Sequence, residues 1–208
     1  YHSGGILAGK TIVSIAGGDT HSVALCSDGT LAAWGANGYG QLGDGTTTTS
    51  LSPVAVDRSG VLAGKTVISL AVGQNRSFAI CSDGTVAAWG ENGFGALGDG
   101  STANHRTVPV LVHQSGVLAG KTVVAIAAGS AHSIALCSDG TLAAWGWNTL
   151  GQLGIGSSSP PSNVPVLVNQ SGALARKSVV AISAGIWHSL ALCSDGTVAA
   201  WGSNSFGQ

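Results

Sequence analysis

The chain has 208 residues and a mass of 20.4 kDa, with 44% apolar and only 8% charged residues. So much apolar content with so little charge excludes a disordered chain, and a net charge of −1 excludes a broad basic footprint for nucleic acid or anionic lipid. No apolar stretch approaches the roughly 20 residues of a membrane span, so no membrane insertion is expected.

The elements recur four times. Trp34, Trp89, Trp145 and Trp201 are spaced 55, 56 and 56 residues apart, and Cys26, Cys81, Cys137 and Cys193 keep the same spacing. Cys-Ser-Asp-Gly-Thr and Ala-Ala-Trp-Gly are identical in all four copies. A period of this length signals a solenoid, a propeller or an array. The units run 3–57, 58–113, 114–169 and 170–208, the last one incomplete. In the third unit, 122–128 (TVVAIAA) predicts a strand A and 132–137 (HSIALC) a strand B. Asp139-Gly140 predicts a tight hairpin into strand C at 141–145 (TLAAW). A Gly-rich stretch then leads to strand D at 164–168 (VPVLV), whose proline suits an edge. No segment carries a helical period. Strands A and B are apolar or small at nearly every position, as strands buried on both faces are. Face-to-face sheets in a ring, a β-propeller, bury them that way.

Most chemical motifs have structural readings. Gly4 to Thr11 fits the phosphate-loop pattern but leads into a strand instead of a helix, so it is expected to be accidental. The cysteines lie at equivalent points of separate blades and are expected to be buried free thiols, not disulfides. His21 and Cys26, like His132 with Cys137 and His188 with Cys193, sit five apart on a strand and face opposite sides. Each His is therefore expected to hydrogen-bond near the A–B turn, and no metal or cofactor is expected. Asp28, Asp83, Asp139 and Asp195 read as turn residues. No nucleophile–base–orienter set stands out, so no enzyme is expected. The sequons at Asn75 and Asn169 matter only in a secreted eukaryotic protein.

The pattern resembles the RCC1 (regulator of chromosome condensation) repeat family. The resemblance rests on 15–25 (IAGGDTHSVAL), 126–136 and 182–192, and on Trp-Gly-x-Asn-x-x-Gly-Gln-Leu-Gly at 34–43 and 145–154. The second copy departs from it, with Arg76 in place of His and Ala96 in place of Gln. The resemblance implies an RCC1-like propeller, commonly of seven blades, which at this period needs about 390 residues. The chain is therefore expected to be a partial propeller, a fragment of a longer one, or half of a homo-oligomer that closes an eight-blade ring. The resemblance also implies, as an alternative to plain binding, nucleotide exchange on a small GTPase or inhibition of an enzyme by the propeller face. A basic tail for chromatin is missing.

The copies differ mainly at one rim. After strand A they read Asp19-Thr20, Gln74-Asn75, Ser130-Ala131 and Ile186-Trp187. After Trp-Gly they read Ala36, Glu91, Trp147 or Ser203. In an up-and-down blade these A–B and C–D loops share one end. Asp19, Gln74, Asn75, Glu91, Trp147, Ile186 and Trp187 are accordingly the candidate partner-binding residues. Trp147 and Trp187 read either as interface anchors or as fillers between blades. Tyr39, Phe94, Leu150 and Phe206 in the C–D loops are expected to pack as structure. The expected function is a non-catalytic protein-interaction platform, an adhesion or scaffold module of a larger, secreted or surface, bacterial-type protein.

Overall fold

The structure, a computed structural model, describes residues 5–158 and 160–208. Ser3 and Gly4, which open the first repeat and the phosphate-loop-like motif, lie outside the described residues. The fold is all-β. Four antiparallel sheets follow one another along the chain, each with its strands in sequence order. The first holds β1 (Ile12–Gly17), β2 (His21–Cys26), β3 (Leu31–Gly35) and β4 (Ser50–Ala55). The second holds β5 (Val67–Val72), β6 (Arg76–Cys81), β7 (Val86–Glu91) and β8 (His105–Leu111). The third holds β9 (Val123–Ala128), β10 (His132–Cys137), β11 (Leu142–Gly146) and β12 (Ser162–Leu167). The fourth has three strands, β13 (Val179–Ala184), β14 (His188–Cys193) and β15 (Val198–Gly202). These are up-and-down propeller blades, as the repeat predicts. Among the described residues the helical content is three short 3-10 turns, and no helix is long and apolar enough to cross a membrane.

The chain forms two compact units. One takes residues up to 92 together with 103–112, and so holds the first two sheets; the other takes 93–102 and 113–208. The second repeat is thus divided: its strand β8 stays with the first unit, while its loop at 93–102 belongs to the second.

Strand alternation gives each sheet two unlike faces. On β2 and β3, Val23, Leu25, Leu31 and Ala33 share one face, because Val23 pairs with Ala33 and Leu25 with Leu31. On β6 and β7 the opposite set, Ala79, Cys81, Ala87 and Trp89, joins those four residues in one buried cluster. A large-residue face therefore seats on a small-residue face. The second unit repeats this with Ile134, Leu136, Leu142 and Ala144 against Ala191, Cys193 and Ala199. Cys recurs because the small face has room for its volume. All four thiols are free and buried, and burial pushes the Cys137 thiol up to about 11.

One expectation needs correction. The middle strands β6 and β10 are buried at every position, but strand A is only half covered: Val13, Ile68, Val124 and Val180 are exposed. Each is the extra residue of a β-bulge, such as Val13 between the Ile12–Cys26 and Ser14–Leu25 pairs, so it has no cross-strand partner and its side chain stays open. The hairpin falls at the Ser-Asp-Gly link that the sequence places between strands B and C. Cys26 N–H donates to the Thr30 carbonyl and Gly29 N–H to the Cys26 carbonyl, enclosing Ser27-Asp28-Gly29 with Gly29 at φ 84. This is a three-residue turn with glycine in the left-handed position. Asp28 Oδ1 accepts the Thr30 N–H, and Lys10 pairs with the Asp28 carboxylate. The other repeats form Lys65–Asp83 at 2.5 Å, Lys121–Asp139 at 2.5 Å and Lys177–Asp195 at 2.8 Å. Lys10, the lysine of the phosphate-loop-like motif, is thus a turn clamp.

The small face makes a volume prediction. Cys81→Leu is expected to destabilise the chain by about 1–3 kcal/mol through overpacking, and Cys81→Ala by less than about 1.5 kcal/mol. Urea unfolding midpoints of the two variants check this.

Candidate interaction rim and the latch beneath it

Ser77 on β6 lies directly opposite Trp89 on β7. Both donate to one acceptor in the preceding repeat, the Gln41 carbonyl: Ser77 Oγ at 3.1 Å and Trp89 Nε1 at 3.0 Å. His21 Nε2 lies 2.9 Å from the same Ser77 Oγ. A hydroxyl has a single hydrogen. With that hydrogen on Gln41, Ser77 accepts from His21, which fixes the imidazole as the neutral Nε2–H tautomer. The second unit has the same latch. There Ser133 Oγ and Trp145 Nε1 donate to the Ala96 carbonyl, each at 2.9 Å. Ser189 Oγ (2.8 Å) and Trp201 Nε1 (2.9 Å) donate to the Gln152 carbonyl, and His132 Nε2 lies 3.0 Å from Ser189 Oγ. His21 and His132 are therefore structural, each with a serine one repeat away as its side-chain partner, whereas the His188 ring has no side-chain hydrogen bond among the described residues.

Glycines make room for this latch. A Cβ on Gly18 would lie 2.8 Å from His21 Nδ1, and one on Gly43 2.7 Å from Trp89 Nε1. Gly43 also has φ 69, so both space and backbone call for glycine there. In the second repeat Arg76 takes the histidine position and is fully buried. Burial pushes its guanidinium down to about 10, and Glu91 opposes that shift.

Above the latch, the two variable positions of each repeat are tied together. The residue after Trp-Gly donates its backbone N–H to the carbonyl just before the strand-B start: Ala36 to Thr20, Glu91 to Asn75, Trp147 to Ala131 and Ser203 to Trp187. In the first unit, Asn75 Nδ2 also donates to Glu91 Oε2 at 3.2 Å, Gln74 is half-buried and Asp19 is exposed. Glu91 thus has an internal role as counter-charge to Arg76. In the second unit, Trp147 meets Trp187 edge-to-face at a centroid distance of 4.8 Å and 89°. Ile186 beside them is 64% exposed, and its carbonyl accepts the Ser130 N–H. Asp19, Gln74, Asn75 and Glu91 belong to one unit and Trp147, Ile186 and Trp187 to the other.

The sequence reading missed Phe94. It stacks on Trp147 with centroids 5.0 Å apart and planes 16° apart, and is 54% exposed. The expectation that the C–D loop residues pack as structure fails for all four, because Tyr39, Leu150 and Phe206 are exposed as well. The turn itself is held from below by the loop glutamine. Gln41 Oε1 accepts the Tyr39 N–H and Gln152 Oε1 the Leu150 N–H, both at 2.9 Å, and Gln208 Oε1 accepts the Phe206 N–H at 2.8 Å. These bonds free the side chains to point outward. Ala96 has no such acceptor, and there Phe94 adopts φ 60, ψ 17. The Ala96 substitution was legible in the sequence; the ring it releases was not.

Two titrations lie in separate windows. Burial is the main cause that pushes His21 down to about 4, with Asp19 opposing it. The folded state thus favours the neutral ring. Its stabilisation is complete above the unfolded value of 6.5 and is lost as pH falls from there towards about 4. The hydrogen bond from Lys65 leads the causes that bring Asp83 down to about 2, and Lys121 does the same for Asp139. That contribution is lost only below the ordinary carboxylate range. Urea midpoints measured from pH 7 to 4 are therefore expected to fall, and His21→Gln is expected to reduce that fall.

The sequence pattern of the RCC1-like domain matches residues 3–208. The ultraviolet-B receptor UVR8 of Arabidopsis thaliana is 35% identical over 202 residues, covering 97% of this chain and 43% of the receptor. The crystal structure of human WBSCR16 superposes with a TM-score of 0.82 at 28% identity, over 94% of this chain and 48% of that one. Prp20p of Saccharomyces cerevisiae, studied for its binding to Gsp1p and histones, superposes at 0.77 with 25% identity, over 94% of this chain and 46% of that one. The chain spans less than half the length of these proteins.

Proposed function

The chain belongs to the RCC1-like domain family, and from that premise we propose that it is a non-catalytic protein-interaction platform whose partner sits on the aromatic part of the rim. One observation carries the reading. Phe94, Trp147, Trp187 and Ile186 come from three repeats and group at one end of the second unit's sheets, and Trp147, Ile186 and Trp187 occupy positions where the copies differ. Grouped, partly exposed aromatic side chains are typical interface anchors. Trp147 and Trp187 are half-buried, so they pack on each other while keeping open surface.

A second reading has support from one relative. Prp20p was studied for its binding to Gsp1p and histones, and the RCC1 resemblance implies nucleotide exchange on a small GTPase, so this reading takes a small GTPase as the partner. The two readings separate by stoichiometry. A platform binds its partner one to one. An exchange factor releases labelled GDP from a small GTPase when present at a small fraction of the GTPase concentration.

The test compares wild type with the double variant Trp147→Ala, Trp187→Ala, with folding checked by circular dichroism. Partner capture is expected to drop at least about tenfold, the loss of one strong anchor. Capture retained by a folded double variant overturns the reading.

We also propose self-association, on the evidence of two open faces. In the first sheet Ile12 is 47% exposed, whereas its counterparts Val67 and Val123 are buried. In the fourth sheet Val198 is 59% exposed, whereas Leu31, Val86 and Leu142 are buried. These are the two sides that seat on each other within each unit, so a second copy can cover both. Native mass spectrometry is expected to show a discrete dimer, and a strictly monomeric chain at high concentration removes this proposal.

A further inference from the structure

The grouping of Phe94, Trp147 and Trp187 has a local cause. Three repeats break their shared pattern and the breaks converge. The third copy places Trp147 after its Trp-Gly, the fourth places Trp187 before its strand-B His, and the second replaces the loop glutamine by Ala96. The last change leaves the latch intact, since the latch uses only the Ala96 carbonyl. Its effect falls on the turn. Without the side-chain acceptor that holds Tyr39 and Leu150, Phe94 takes a left-handed backbone and lies on Trp147. A bulky residue with positive φ is strained, and it persists where other contacts compensate.

The chemistry of the cluster limits what it can hold. Its rings and adjoining residues, Ile186, Ser130, Ala131 and Leu150, carry no charge. Neither the Trp147 nor the Trp187 indole N–H has an acceptor among the described residues, and both side chains are half-buried. A good occupant therefore offers flat apolar surface together with free carbonyl oxygens. A helical segment uses its carbonyls internally. A quaternary ammonium group fits aromatic faces but accepts no hydrogen bond. An extended polyproline II segment has no internal hydrogen bonds, exposes every carbonyl and presents rigid pyrrolidine rings at low ordering cost.

We propose that the Phe94–Trp147–Trp187 cluster is a docking site for a proline-rich segment of a partner protein in the polyproline II conformation. Ring faces pack on proline rings, and the two indole N–H groups donate to the segment's carbonyls. Ala96 acts as a positioning residue by releasing Phe94 onto Trp147. The proposal rests on the platform reading above and specifies the partner's chemistry.

The experiment is a titration of the whole chain, labelled with nitrogen-15, with a capped oligoproline peptide; a capped Gly-Ser peptide of equal length, tetramethylammonium and maltose serve as comparison probes. The chain has six tryptophans. The indole N–H resonances of Trp147 and Trp187 are expected to shift saturably with oligoproline, while the latched indoles of Trp89, Trp145 and Trp201 stay in place. Trp187→Ala is expected to weaken the binding at least about tenfold. Ala96→Gln, which removes no aromatic ring and restores the turn of the first and third repeats, is expected to weaken it too and to leave stability unchanged. Three results overturn the proposal: no saturable shift with oligoproline, a shift indifferent to both variants, or saturation of the same two resonances by Gly-Ser, tetramethylammonium or maltose. If oligoproline fails while partner capture still depends on Trp147 and Trp187, the platform reading stands and the polyproline assignment alone is lost.

Discussion

A single backbone carbonyl organises each junction between repeats within a unit. Gln41, Ala96 and Gln152 each offer one, and each receives a serine hydroxyl and an indole N–H from the repeat that follows. A net hydrogen bond contributes about 1 kcal/mol, but a buried polar group left without one costs about 1–3 kcal/mol. The larger effect of the latch is therefore to penalise misalignment. A sheet that slips by one residue places its serine and tryptophan on the opposite face and leaves the carbonyl, the hydroxyl and the indole all unsatisfied. Apolar packing opposes the same slip, because small residues alternate with large ones and a one-residue shift exchanges the two faces. The latch converts approximate stacking into one register.

This constraint explains why so much of the fold was readable. Strand B begins at His132 and ends at Cys137, and both ends were visible in the repeat. Among the invariant residues, Trp89, Ser77 and Cys81 sit on the small face, and Ser27, Asp28 and Gly29 form the hairpin. What the sequence hid was reach. His21 and Ser77 are 56 positions apart, and nothing in a single repeat says that its histidine serves the next one. The half-open strand A was hidden for a related reason: apolar composition reports what a strand tolerates on its two sides, whereas the bulge that leaves Val13 or Ile68 without a cross-strand partner is set by the pairing register.

The rim was legible as a place and not as a surface. Comparing the copies identified Asn75 with Glu91, and Trp147 with Ile186 and Trp187, because these positions vary where their neighbours do not. Comparison could not separate Glu91, which balances the buried Arg76, from residues left open to a partner. It also could not find Phe94. That residue lies at an ordinary loop position shared with Tyr39 and Leu150, and it becomes distinctive only through a missing amide oxygen two residues later.

The unlike faces of each sheet give every repeat a direction, large side chains on one side and small ones with the serine–tryptophan pair on the other. Such units behave like bricks with studs above and sockets below. An unequal crossing-over that adds or removes one whole 56-residue unit, such as 58–113, brings a stud face to a socket face and needs no compensating change. One that adds or removes only part of a unit breaks that match. The few positions exempt from matching are where the array can acquire an address.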